Sequence, residues 1–202
     1  VIPDFENQAL TQLEFGLNIE LDKPAEVIIT RNIFLHKEKA YNINRKYSGK
    51  GEFMQYMRSN YYIKIYDKAK QYEEYNINNH ILRIELKFIK AREFNKIGIY
   101  KISDLKNKGN LNKLFDLLRH RFDELYIVDE YLDSPLIPTQ VKQELSQLLT
   151  EKFWNNVKGK SNWRKKKEAK SRLKHLLQKH NLLNSKISIT KSLAEKYHNL
   201  IY

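Results

Sequence analysis

Three short stretches of this chain alternate apolar and polar residues: LTQLEFGLNIEL (10–21), NYYIKIYDK (60–68) and ILRIELKF (81–88). Side chains along a strand point to opposite faces with a period of two. In the first stretch Leu13, Phe15, Leu17, Ile19 and Leu21 take one face, and Glu14, Gly16, Asn18 and Glu20 the other. In the second, Tyr61, Ile63 and Ile65 oppose Tyr62, Lys64, Tyr66 and Lys68. In the third, Leu82, Ile84, Leu86 and Phe88 oppose Arg83, Glu85 and Lys87. If the apolar faces share one core, the other side of the sheet gathers acids, tyrosines and bases.

Beyond residue 100 the apolar period becomes helical. LNKLFDLLRHRFDELY (111–126) puts Leu111, Leu114, Phe115, Leu118, Phe122 and Leu125 on one face. VKQELSQLLTEKFWNNV, capped by Thr139, carries Leu145, Leu148, Leu149 and Phe153 as a stripe. A last helix is predicted over 190–201, after SKISIT. Nearer the start, Pro24 opens a predicted helix through AEVIITRNIFLHK, with Val27, Ile28, Phe34 and Leu35 apolar. Residues 40–58 read as irregular strand broken by the SGKG turn (48–51), forming a hairpin into the 60–68 strand, and QYEEYNINN (71–79) reads as a polar loop.

Strands first and helices after predict an α+β protein: an antiparallel sheet with helices packed on one face, followed by a basic all-helical region. The expected units are 1–127 and 138–202. The chain opens almost at once into its first strand without an initial Met, and is read as a piece of a longer protein.

Charge narrows the partner. Lys and Arg number 37 against 24 acids, a net +13, which predicts a polyanionic partner, nucleic acid above all. The most basic stretch, 158–179, holds ten Lys or Arg and one acid, Glu168. Arg164, Lys165, Lys166, Lys167, Lys170, Arg172 and Lys174 are the candidate DNA contacts there. This helix and the one after it read either as a helix-turn-helix-like reader of duplex or as a phosphate-facing surface without base readout.

Other chemistries are excluded by what is missing. There is no cysteine, hence no disulfide, thiol catalysis or cysteine-ligated zinc, which fits a reducing cytoplasm. The six histidines form no His-x-His pair. Phosphate-binding glycine loops and the GxSxG motif are absent. No apolar run approaches the roughly 20 residues of a membrane span.

What remains is the polar strand face. Glu14 and Glu85 are acids in mid-strand, disfavoured there unless something holds them. Paired carboxylates suit Mg²⁺ or Mn²⁺; cross-strand ion pairs with Arg83 and Lys87 are the competing explanation. Tyr66 stands between Lys64 and Lys68, a candidate nucleophile with Tyr62 as its rival.

At these segments the chain resembles the tyrosine replication initiators of rolling-circle plasmids and filamentous phages. The likeness is strongest to the plasmid- and transposon-type initiation family and the phage gene II type nickases. Their opening strand carries an acid, matched by Glu14 in LTQLEF; a strand ends in Tyr-x-Lys, matched by Tyr66 and Lys68 in YIKIYDK; and another reads Arg-x-Glu, matched by Arg83 and Glu85 in ILRIELKF. IKAREFNKIGIYKISDL resembles the basic stretch and short helix that come after Arg-x-Glu in that family, so the likeness covers about residues 9–105.

The resemblance implies site-specific nicking at a plasmid, phage or mobile-element origin, single-stranded or hairpin, in a bacterial cytoplasm alongside host replication proteins. Tyr66 would form a 5′-phosphotyrosine link. Glu14 and Glu85, aided by Asn18 or Glu20, would hold the metal, and Arg83 and Lys68 would support the phosphate and the tyrosine. Tyr62, Lys64 and Lys87 would contact DNA. Departures are the longer Glu for Asp at 14, the neutral Asn18 where a second acid often stands, and the missing His pair. They leave two alternatives: a non-catalytic DNA-binding protein of the same fold, and an RNA-binding module whose tyrosines stack on bases.

Overall fold

The computed structural model describes residues 4–42, 49–75 and 80–202. Ile43, Tyr47, the first residue of the SGKG turn and the end of the 71–79 loop fall outside them.

The three alternating stretches are strands of one antiparallel sheet. β1 (Leu13–Leu21) is followed by a short helical segment, α1 (Ala25–Val27), which continues as a π-helical turn over Ile28–Asn32. Next come β2 (Ile33–His36), β3 (Phe53–Met57), β4 (Tyr61–Asp67), the single-turn α2 (Lys68–Gln71) and β5 (His80–Phe88). The main sheet has the order β1-β5-β4-β3, with β3 and β4 forming the expected hairpin. α3 (Arg92–Asn95) and a 3₁₀ turn (Ile102–Lys106) lead to α4 (Lys108–Asp123), then β6 (Leu125–Ile127), which pairs with β2. Four helices complete the chain: α5 (Thr139–Leu148), α6 (Glu151–Asn156), α7 (Trp163–Lys179) and α8 (Asn184–Ile201). The α+β class is therefore as the sequence predicts, with an antiparallel sheet, helices on its apolar face and a helical C-terminal region.

Four elements depart from the expectation. The helix predicted from Pro24 gives way to β2 at Ile33, so Phe34 and Leu35 lie in a strand. Pairing with β6 takes over there, Ile33 with Ile127 and Leu35 with Tyr126. The helix predicted to Tyr126 ends at Asp123, leaving Leu125 in β6. The single helix predicted over 141–157 is two. Thr150 accepts a hydrogen bond from the Phe153 amide as the cap of α6, and the Leu148 carbonyl accepts one from Trp154 Nε1 at 2.7 Å. Thr139 is the first residue of α5, not a capping side chain.

The fourth departure is α8, which begins at Asn184 and absorbs the SKISIT segment. The Asp129 carboxylate, far away in sequence, accepts hydrogen bonds from the Asn184 and Ser185 amides at 2.8 and 3.1 Å. It thereby satisfies two of the orphan donors of a helix start.

Two cores result. Leu17, Ile19, Ile63, Ile65, Leu82, Ile84 and Leu86 on the sheet pack against Leu114, Leu118 and Phe122 of α4 and Ile189, Leu193 and Tyr197 of α8. Phe115 and Tyr197 stack in parallel, centroids 4.1 Å apart. Leu145 and Leu148 of α5, Trp154 of α6 and Leu173, Leu176 and Leu177 of α7 form the second core with Leu35 and Val128. Consecutive helices α7 and α8 thus serve different cores, which is not the mutual packing of a helix-turn-helix. No helix among the described residues is long and apolar enough to cross a membrane.

Candidate functional site on the polar face of the sheet

With the apolar face committed to the core, strand pleating sends every second residue to the opposite side. Three rungs cross it. Glu14, Lys87, Tyr62 and Met57 form the first; Gly16, Glu85, Lys64 and Gln55 the second; Asn18, Arg83, Tyr66 and Phe53 the third. Glu14, Asn18, Tyr62, Lys64, Tyr66, Arg83, Glu85 and Lys87, singled out from sequence, therefore share one surface.

Glu85 is its centre. The side chain is only 5% exposed, and a buried carboxylate is tolerated only with partners. Lys64 Nζ donates to Oε1 at 2.7 Å, Arg83 Nε to Oε2 at 3.0 Å, and the Tyr66 hydroxyl to Oε2 at 3.4 Å. Lys64 also reaches Glu14 Oε1 at 3.1 Å, and Lys87 meets the same oxygen at 2.8 Å. Arg83 Nη1 donates to Asn18 Oδ1 at 3.0 Å. Partial burial works against ionisation of Glu14, but hydrogen bonding with Lys87, Glu85 and Lys64 prevails and holds its carboxyl at about 2.

Gly16 makes room for this arrangement. A Cβ there would stand 2.9 Å from the Ile84 carbonyl oxygen and 3.0 Å from Glu85 Cα and Cβ. Sequence reasoning overlooked Gln55, which is 1% exposed and completes the Glu85 rung. Its signal was a polar residue between Met54 and Tyr56 in an otherwise apolar strand. Phe53, on the same strand, has its ring 5.8 Å from that of Tyr66.

Lys68 and Glu20 are placed differently from the rest. Lys68 is not on the strand face but opens α2, donating to Gln71 at 3.0 Å with its ammonium 4.0 Å from the Tyr72 ring centroid and 5.6 Å from that of Tyr66. Glu20 is exposed and pairs with Ile81 beyond the third rung. It lies six residues from Glu14, about 20 Å at the strand rise, so these two acids cannot share an ion.

The donor set as arranged does not fit a divalent cation. Glu14 and Glu85 converge on the Lys64 ammonium, both Glu85 oxygens accept from protein donors, and Asn18 Oδ1 is taken by Arg83. Three cations surround two carboxylates. Among the described residues no three His, Asp or Glu side chains are grouped to hold a metal. What the surface offers is a phenol against a carboxylate, with an excess of cationic donors suited to a phosphate.

The basic helix is a second, separate surface. Lys166 reaches Glu38 at 2.6 Å, Lys170 contacts the same carboxylate, and Arg172 makes a bidentate pair with Glu144 at 2.7 and 2.7 Å. Arg164, Lys165, Lys167 and Lys174 are exposed. Comparison of the chain with protein-family models, with curated proteins and with solved structures finds no match.

Proposed function

We propose that this chain is a DNA-nicking replication initiator of the rolling-circle type, acting through Tyr66. The observation that carries the reading is the contact of the Tyr66 hydroxyl with Glu85, beside Arg83 and Lys64, on a surface otherwise rich in cations. Tyr66 is preferred to Tyr62 because it stands on the Arg83 rung and reaches Glu85, whereas Tyr62 stands on the Lys87 rung.

In the proposed reaction the Tyr66 oxygen attacks a backbone phosphorus. A Tyr–O–P bond forms and the bond from phosphorus to the 3′-oxygen breaks. The phenolic proton passes to Glu85, and the leaving 3′-oxygen takes a proton from Lys68 or water. Arg83, Lys64 and Lys87 would offset the charge that builds on the phosphoryl oxygens. A role for Mg²⁺ or Mn²⁺ at Glu14 and Glu85 requires Lys64 to swing out first, and no step of this reaction depends on it.

Covalent trapping tests the reading. The protein is incubated with labelled single-stranded or supercoiled origin DNA, with Mn²⁺ or with chelator, then denatured. A labelled adduct kept in Tyr62→Phe and lost in Tyr66→Phe is expected. An adduct that survives Tyr66→Phe would sink the mechanism.

One observation favours a second reading, a non-catalytic DNA-binding protein of this fold. Tyr66 is 7% exposed and Glu85 4%, which restricts access of a phosphate to the phenol. That reading gives strong salt-dependent binding and no adduct under any metal condition.

A further inference from the structure

The chain has two tryptophans, and they are placed in opposite ways. Trp154 is 1% exposed and hydrogen-bonded to Leu148; Trp163, the first residue of α7, is 61% exposed. A lone exposed apolar residue needs no explanation. Trp163 differs in its company. Counting along α7, Lys167, Lys170 and Lys174 stand at i+4, i+7 and i+11, the spacing of a single helical stripe, and all three are exposed. The stripe runs about 16 Å. Arg164, the next residue, is exposed, and Lys158 and Lys160 flank Gly159 in the preceding turn. Within the helix the one acid is Glu168; Glu38, from outside it, contacts Lys170, and a phosphate has to displace that carboxylate to reach it.

Lysines alone attract any polyanion, duplex or single strand. The indole separates the two. A base inside a duplex is already stacked on both faces, whereas an unpaired base has a free face to lay on an aromatic ring. We propose that Trp163 and the Lys167–Lys170–Lys174 stripe form a binding site for single-stranded nucleic acid. Trp163 stacks on an unpaired base, and the lysines neutralise successive phosphates on one side of it. The proposal rests on the reading that the polyanionic partner is nucleic acid, but on no chemistry at Tyr66.

The test is equilibrium binding of the full chain to a short oligodeoxythymidylate, read by intrinsic fluorescence and by anisotropy of a labelled strand. With Trp154 buried, the responsive emission is that of Trp163. The oligonucleotide is expected to quench it. Trp163→Ala should lose the quenching and weaken binding about five- to a hundredfold, while Trp163→Phe, which keeps a stacking ring, retains most of the affinity. The readout is equilibrium binding without any covalent product, so this result stands apart from success or failure of the nicking assay. An oligouridylate of equal length tells RNA from DNA as the source of the strand, and binding to either supports the site.

Unaltered affinity in Trp163→Ala would overturn the proposal, as would an equal loss of duplex binding. Emission that shifts to the blue with anionic lipid vesicles but ignores both oligonucleotides would overturn it too, in favour of a membrane surface.

Discussion

At the scale of single residues, Lys64 decides the character of the sheet surface. Its ammonium lies between Glu14 and Glu85, and its side chain is 12% exposed. Replacing it with Met leaves Glu85 buried with Arg83 as its remaining cation. One-sided removal of a buried pair costs about 3–5 kcal/mol, and with Arg83 in place the lower end, about 3 kcal/mol, is expected. For a chain of this size that is a fall in Tm of roughly 10 °C, read by calorimetry. Glu14 should respond as well. Its carboxyl, held at about 2 against an ordinary 4.5, favours the folded state above the ordinary value and loses that contribution as pH falls through about 2. In Lys64→Met its midpoint should move upward, seen by carboxyl-carbon NMR titration; an unmoved midpoint would mean that Lys87 and Glu85 set it without Lys64. The residues of this surface were legible from sequence because strand alternation is strict. Lys64 as the bridge was not, because alternation gives the face of a side chain but not which opposite charge it meets.

At the scale of elements, a strand or helix is legible in the sequence where period alone sets it and not where a distant partner intervenes. β1, β4 and β5 lie where alternation puts them. The break between α5 and α6 needed the Trp154 indole to capture a helix-end carbonyl. The early start of α8 needed Asp129. Both are contacts that local propensity cannot register. Asp129 therefore has a measurable role: Asp129→Ala should cost about 1 kcal/mol, the usual worth of a helix cap. The loss should be local. Amide exchange of the first turn of α8, from Asn184 onward, should accelerate while that of Leu193 and Tyr197, locked in the core, keeps the global rate. Uniform acceleration along α8 would instead show that the helix unfolds only with the whole domain.

For the whole molecule, α8 is the element that ties the chain's end to its beginning. The sequence suggests a core unit over 1–127 and a basic helical unit over 138–202, since strands come first and basic helices after. The last helix of the second unit packs on the sheet of the first. Ile189, Leu193 and Tyr197 lie at 2%, 1% and 7% exposure against the sheet that bears Glu85 and Tyr66, although every residue of that polar surface precedes position 90. Burying side chains of this kind contributes about 1.5–3 kcal/mol each, so the three together rival the roughly 5–15 kcal/mol that holds a typical domain folded. A fragment ending before Asn184 keeps the sheet sequence but exposes the apolar face that α8 covers. It should lose near-UV dichroism and dispersed amide resonances, and with them any Tyr66-dependent adduct formation, despite containing the whole candidate site. If the fragment instead keeps a cooperative thermal transition, α4 alone is cover enough for the sheet, and α8 is an appendage of the basic region rather than part of the scaffold beneath the site.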